Sequence, residues 1–240
     1  MTTPDAKSPV VWQLVSLLAL VALLISSRSV ANASDATKDR QCQRPYEWAL
    51  REDAAERALL AKHAAFIKRV GDTLELTTRR GVLKLEDVCD EGREAERVLY
   101  RFVDYFADLD HVLIQESYYE GRGYSLVGVE YGVREKIDSM PIFSSNKAHF
   151  LTVDICDTHC PNRLQIWRRH GQQDSFEMVW SFQPYEDWAE ANGRWLDDRT
   201  IKVTKKVRTK PHSDAYVIKS FSIRLGTDGW RIVDDQKRVK

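Results

Sequence analysis

Two thiols and an imidazole fall within five residues in Asp154-Ile155-Cys156-Asp157-Thr158-His159-Cys160, a grouping that could either bind zinc or close a disulfide. A structural zinc site takes four protein ligands, and no second Cys/His pair stands elsewhere at matching spacing, so neither a metal nor a cofactor is expected. Six histidines, at 63, 111, 149, 159, 170 and 212, could serve acid–base chemistry, but none is joined to a nucleophile motif. Gly121-Arg122-Gly123-Tyr124-Ser125-Leu126-Val127-Gly128 is not a nucleophile elbow, because its second glycine comes one residue too late. Nor is it a phosphate loop, which requires a helix N-terminus behind it. It reads as a glycine-rich hairpin turn. Adjacent acids at Glu186-Asp187, Asp197-Asp198 and Asp234-Asp235 would point to opposite faces of a strand and cannot act as a pair, so they read as turn formers. No catalytic residue is therefore assigned.

Residues suited to holding a partner are easier to find. Lys202, Lys206, Arg208 and Lys210 share one parity, and on a strand they would line the face opposite Ile201, Val203 and Val207. Such a face could meet a phosphate, an acidic glycan or an acidic protein, or it could be a solvated outer strand guarded by lysine against edge pairing. Trp188, in the turn-rich stretch 183–193, is expected near the surface, where tryptophan serves as an interface anchor.

The compartment decides how the cysteines are read. Lys7 provides a positive start, Leu14 to Ile25 form an apolar stretch, and Ala31-Asn32-Ala33 fits a signal-peptidase site, which predicts a signal peptide over 1–33 and a mature chain from Ser34. The alternative is an N-terminal membrane anchor, for which the apolar stretch is short against the roughly 20 residues a spanning helix needs. Cleavage leaves no expected membrane span, and the protein is expected in the periplasm or outside the cell. Cys42, Cys89, Cys156 and Cys160 all survive cleavage, an even count that suits a disulfide framework in an oxidising compartment. The economical pairing is Cys156–Cys160 as a local clasp and Cys42–Cys89 as a longer tie, the latter worth roughly 3–4 kcal/mol by chain entropy. Losing Lys7, Arg28 and Asp5 with the leader leaves 34 basic and 35 acidic residues, a balance that does not favour nucleic acid.

The mature 207 residues suit one domain. A flexible lead-in over 34–44 is followed by an amphipathic helix over 45–71, with Trp48, Ala55, Leu59, Phe66 and Val70 on its packed face and Gly71-Asp72 ending it. From 72 to 240 the pattern becomes short β-type runs between turn residues, including a hairpin about Arg79-Arg80-Gly81. The fold class is mainly β with one N-terminal α-helix, its strands grouped in propeller-like β-meander units. An irregular β-sandwich or an open barrel is the alternative.

The units recur at roughly 40–50 residues, the period of propeller blades. Pro141 to Leu151, read as a turn and then a strand, and Leu164-Gln165-Ile166-Trp167, read as an aromatic-ended strand, resemble a blade of WD-repeat and related propeller proteins, and Arg194 to Val203 repeats the pattern. Arg168 stands where that family has the Asp of its signature dipeptide, and no Gly-His pair opens a unit. The resemblance implies a β-domain whose loops present a binding face. The expected function is an exported binding protein, of inhibitor or immunity type, whose partner is an envelope or secreted protein or a cell-wall glycan. An envelope hydrolase with a histidine and carboxylates gathered from separate loops is the alternative, and convergence of two of His111, His149 and His159 with an acid would favour it.

Overall fold

A computed structural model describes residues 47–88, 97–118, 121–156, 161–171, 175–209 and 215–233, with side chains from Ala54 onward. The expected signal peptide and lead-in, Cys42, Cys89, His159, Cys160, Lys210, His212 and Asp234-Asp235 lie outside the described residues. All described residues belong to one compact unit, Tyr46–Lys240. It is mainly β, with one helix among the described residues.

That helix, α1 (Glu47–Lys62), is shorter than the 45–71 read from the sequence. Its Ala, Leu, Glu and Arg favour helix, but Ile67–Val70 leaves it to form strand β1. The reason lies in the turn that follows. Gly71, at φ 58°, and Asp72 link β1 to β2 (Thr73–Thr78) with Val70 opposite Thr73, so the pair that seemed to end a helix closes a hairpin instead. Pairing with β2 buries Ile67, which is 1% exposed. The packed face of the helix also differs from expectation: Ala55 and Val70 are exposed, and Glu56, Leu59, Leu60 and His63, at helical spacing, turn inward.

Fifteen strands among the described residues form four antiparallel sheets. The first is β1, β2 and β3 (Gly81–Glu86). The second is β4 (Val98–Phe106), β5 (His111–Tyr118), β6 (Arg122–Gly128) and β7 (Arg134–Ile137). The third is β8 (Ile142–Phe143), β9 (His149–Asp154), β10 (Arg163–His170) and β11 (Ser175–Phe182). The fourth is β12 (Trp188–Asp197), β13 (Thr200–Arg208), β14 (Tyr216–Gly226) and β15 (Gly229–Val233). Every sheet is a meander of consecutive strands, and among the described residues none closes into a barrel.

Side-chain alternation fixes how the sheets stack. On β5, Val112 and Ile114 pack with Ile67, Leu74, Leu76 and Leu85 of the first sheet, while Leu113 packs with Phe150 and Phe176 of the third. On β9, Phe150 faces the second sheet, and Leu151 joins Ile201, Val203, Trp188 and Ile223 of the fourth. The two middle sheets are thus covered on both faces. That is why Val112-Leu113-Ile114 and Phe150-Leu151 read as continuous apolar runs instead of alternating ones. The fourth sheet approaches the third very closely at Gly193, where a Cβ would stand 2.2 Å from Leu151 Cδ2.

Candidate functional site: the long-connection end

Because every sheet is a meander stacked in the same sense, the connections sort to two ends. One end holds short turns, at 107–110, 129–133, 144–148 and 198–199. They are tied to one another, as when Ser145 Oγ donates to Asp198 Oδ1 at 3.1 Å and the Arg79 amide donates to the Val129 carbonyl at 3.3 Å. At the other end lie 87–88, 121, 138–141, 155–156, 161–162, 183–187, 209 and 215, the described parts of the connections there. Here Asn162 Nδ2 donates to the Glu186 carbonyl at 3.4 Å, joining two of them.

Large apolar side chains concentrate at this second end. Tyr118, Met140, Tyr185, Tyr216, Val217 and Ile218 are all exposed there, Tyr185 fully and Ile218 at 68%. Beside Met140 opens a cleft of ≈ 680 Å³. Its origin is the brevity of β8, which pairs with β9 only at Ile142–Leu151 and Phe143–Phe150. Thr152 to Asp154 therefore run on without a strand neighbour on that edge, and Ser139 Oγ accepts the Val153 amide in its place at 2.9 Å. Tyr124, Met140, Ile142 and Ile155 give the cleft apolar lining, with Arg122, Asp138 and Asp154 as its charges and Asn192 across from them. Asp138 is paired with Arg163 Nη1 at 2.9 Å. Asp154 is half-buried and, among the described residues, accepts no hydrogen bond and joins no ion pair through its carboxylate. Burial and then the neighbouring Asp138 raise its pKa above the usual aspartate range, with Arg163 opposing. Cys156, at the cleft edge, is disulfide-bonded.

Trp188 is not near the surface: it is 1% exposed and sits in the core between the third and fourth sheets. The stretch 183–193 was read as turn-rich, but from Trp188 onward it is strand β12, and the first inward position of a strand is filled by an aromatic. Lys202, Lys206 and Arg208 do share the outer face of β13, opposite Ile201, Val203 and Val207. They form no free basic stripe. Lys206 pairs with Glu190 and lies over the Tyr216 ring at 5.1 Å, Arg208 Nη1 donates to Asp187 at 2.8 Å, and Lys202 also has an interaction partner. Sequence reading overlooked Lys205, which has the inward parity and is 9% exposed. Its ammonium bonds Glu186 and lies over Trp188 at 4.5 Å, while Lys219 Nζ reaches the other Glu186 oxygen at 2.8 Å. Burial opposes ionisation of Glu186, yet the two lysines hold its pKa down at about 2. Glu186 and Asp187 thus latch the 183–187 connection onto β13 and β14. Asp197 and Asp198 are turn formers, accepting the Arg199 amide at 2.8 Å and the Asn146 amide at 3.2 Å.

Among the described residues, His111 and His149 do not converge. His111 is fully buried between the second and third sheets, its Nδ1 2.7 Å from the Leu109 carbonyl and its ring against Phe176. His149 lies on the other side of the third sheet, against Trp195 and Trp230, with Nδ1 buried and unpartnered. Burial, then Arg168, lower its pKa, and Asp198 opposes. The glycine-rich segment is mostly strand: Arg122 to Gly128 form β6, and just before it the Tyr118 amide donates to the Gly121 carbonyl at 2.8 Å.

Another buried charge was not foreseen. Glu116, 1% exposed, accepts from Ser125 Oγ, from Arg134 Nη2 at 2.5 Å and from Tyr118 Oη at 2.5 Å. Arg134 also lies over Tyr100 at 5.4 Å. With every oxygen engaged, this group braces the second sheet and has no vacant position for a substrate. Comparison with known proteins finds no matching family model, no similar curated protein and no similar solved structure. No helix among the described residues is long and apolar enough to cross a membrane.

Proposed function

We propose that this chain is an exported binding protein, periplasmic or secreted, that holds an envelope or secreted protein partner on the long-connection end of a propeller-like stack of meander sheets. The observation that carries the reading is the exposure of Tyr118, Met140, Tyr185, Tyr216, Val217 and Ile218 at one end of the stack, where a cleft also opens beside Met140. Exposed apolar and aromatic side chains on one side of a folded domain mark interaction surfaces. The basic outer face of β13 is a weaker candidate, since Lys206 and Arg208 are already neutralised by Glu190 and Asp187. An inhibitor or immunity role fits such a binding face.

The test is site-specific photo-crosslinking in the producing cell. A crosslinker at Tyr185 or Met140 is expected to give one dominant protein adduct, and a crosslinker at Leu196, on the short-turn end, none. Adducts of equal yield from both ends, or none from Tyr185 and Met140, would overturn the reading.

A further inference from the structure

The cleft beside Met140 holds one carboxylate that, among the described residues, accepts no hydrogen bond and joins no ion pair. Asp154 is half-buried at the end of β9, beyond the reach of two-residue β8. Arg163, opposite it in the β9–β10 register, pairs instead with Asp138 at 2.9 Å. A carboxylate withdrawn from water without a hydrogen-bonded partner costs stability, and the cost is removed when a cation docks against it. We propose that the cleft receives a lysine or arginine side chain from a polypeptide partner docked at this end of the stack, with Asp154 as its counter-ion and Tyr124 and Met140 flanking its aliphatic stem.

The mixed charge of the cleft narrows the partner further. Arg122, exposed at the mouth, repels a second cation, so the fitting segment carries one basic residue among apolar ones and is no polycation. The volume, ≈ 680 Å³, accommodates one long side chain with its neighbours. This inference rests on the protein-binding reading above, but it can fail alone.

The probe is a synthetic pentapeptide, Leu-Trp-Arg-Leu-Tyr with blocked ends, titrated into the mature protein and followed by amide NMR shifts. Amides of Asp138, Asp154 and Asn192 are expected to move. Asp154→Asn is expected to weaken binding about tenfold, as is norleucine in place of the peptide arginine. Because Asp154→Asn removes an unpaired half-buried charge, the variant is expected to fold and to melt no lower than the wild type, so lost binding would not reflect lost structure. Equal affinity of wild type and Asp154→Asn, equal binding of the norleucine peptide, or no shifts at the cleft would overturn the proposal. If Tyr185 crosslinks persist unchanged in Asp154→Asn, the basic anchor falls while the binding face stands. If Tyr185 gives no crosslink, the binding face itself falls.

Discussion

Glu56 Oε1 accepts the backbone amide of Phe102 at 2.8 Å, so a helix side chain fills the place that a neighbouring strand would take beside β4. β4 is the edge of the second sheet, and its amides need partners. Asp87 Oδ1 accepts the next free one, at Tyr100, at 2.7 Å, and Arg69 donates to the Tyr100 carbonyl at 2.5 Å while pairing with both acids. Glu56→Ala orphans a buried amide and breaks the ion pair with Arg69, and is expected to cost about 2–4 kcal/mol in urea unfolding. Arg57→Ala, exposed one residue on, should lie within about 0.5 kcal/mol of wild type.

Gly193 admits no side chain. A methyl there meets Leu151 Cδ2 at 2.2 Å, inside the interface of the third and fourth sheets. Gly193→Ala is expected to destabilise by about 1–3 kcal/mol, measured by chemical denaturation, and the loss in Gly193→Ala with Leu151→Ala should be smaller than the sum of the two single losses.

Acid should loosen the latch at 183–187. With its folded-state pKa near 2, below the usual glutamate range, Glu186 contributes stability that is fully present above about pH 4.5 and is lost as pH falls toward 2. The melting-temperature gap between wild type and Glu186→Gln should therefore be open at pH 6 and closed near pH 2. It should be small throughout, because the side chain is 39% exposed and water screens it.

His149 acts in a different window. Its depressed folded-state pKa means that the unfolded chain takes up a proton first, so stability falls as pH drops below the ordinary histidine value of about 6.5. His149→Phe, which keeps the packing on Trp195 and Trp230, should flatten the stability profile between pH 7 and 5.

Peptide mapping without reduction is expected to recover Cys156 joined to Cys160, and Cys42 joined to Cys89. Cys156 in another pairing would require the 155–162 connection to be held from elsewhere.

Much of the β architecture could be read from the residues. β4 and β13 are legible because each alternates or carries β-branched side chains between plain turn signals. β1 was missed because Phe66 to Val70 continues a helical composition, and only the hairpin at Gly71-Asp72 diverts it. β8 was missed because two residues carry no periodicity, and the cleft went with it, since a gap left by a short strand has no pattern of its own. The parity of Lys202, Lys206 and Arg208 was visible, but their neutralising acids come from β12 and the preceding connection, so pairing needs the register of two strands. Trp188 was misplaced for a related reason: charged and polar neighbours concealed a strand whose inward residues are few.

The three apolar clusters each bridge two consecutive sheets, so cohesion passes along the stack from neighbour to neighbour. A molecule built this way frays from its outer members. Amide exchange should be slowest in β5, β6, β9 and β10, and fastest in β15 and β3, giving a graded profile with its maximum at the centre of the sequence.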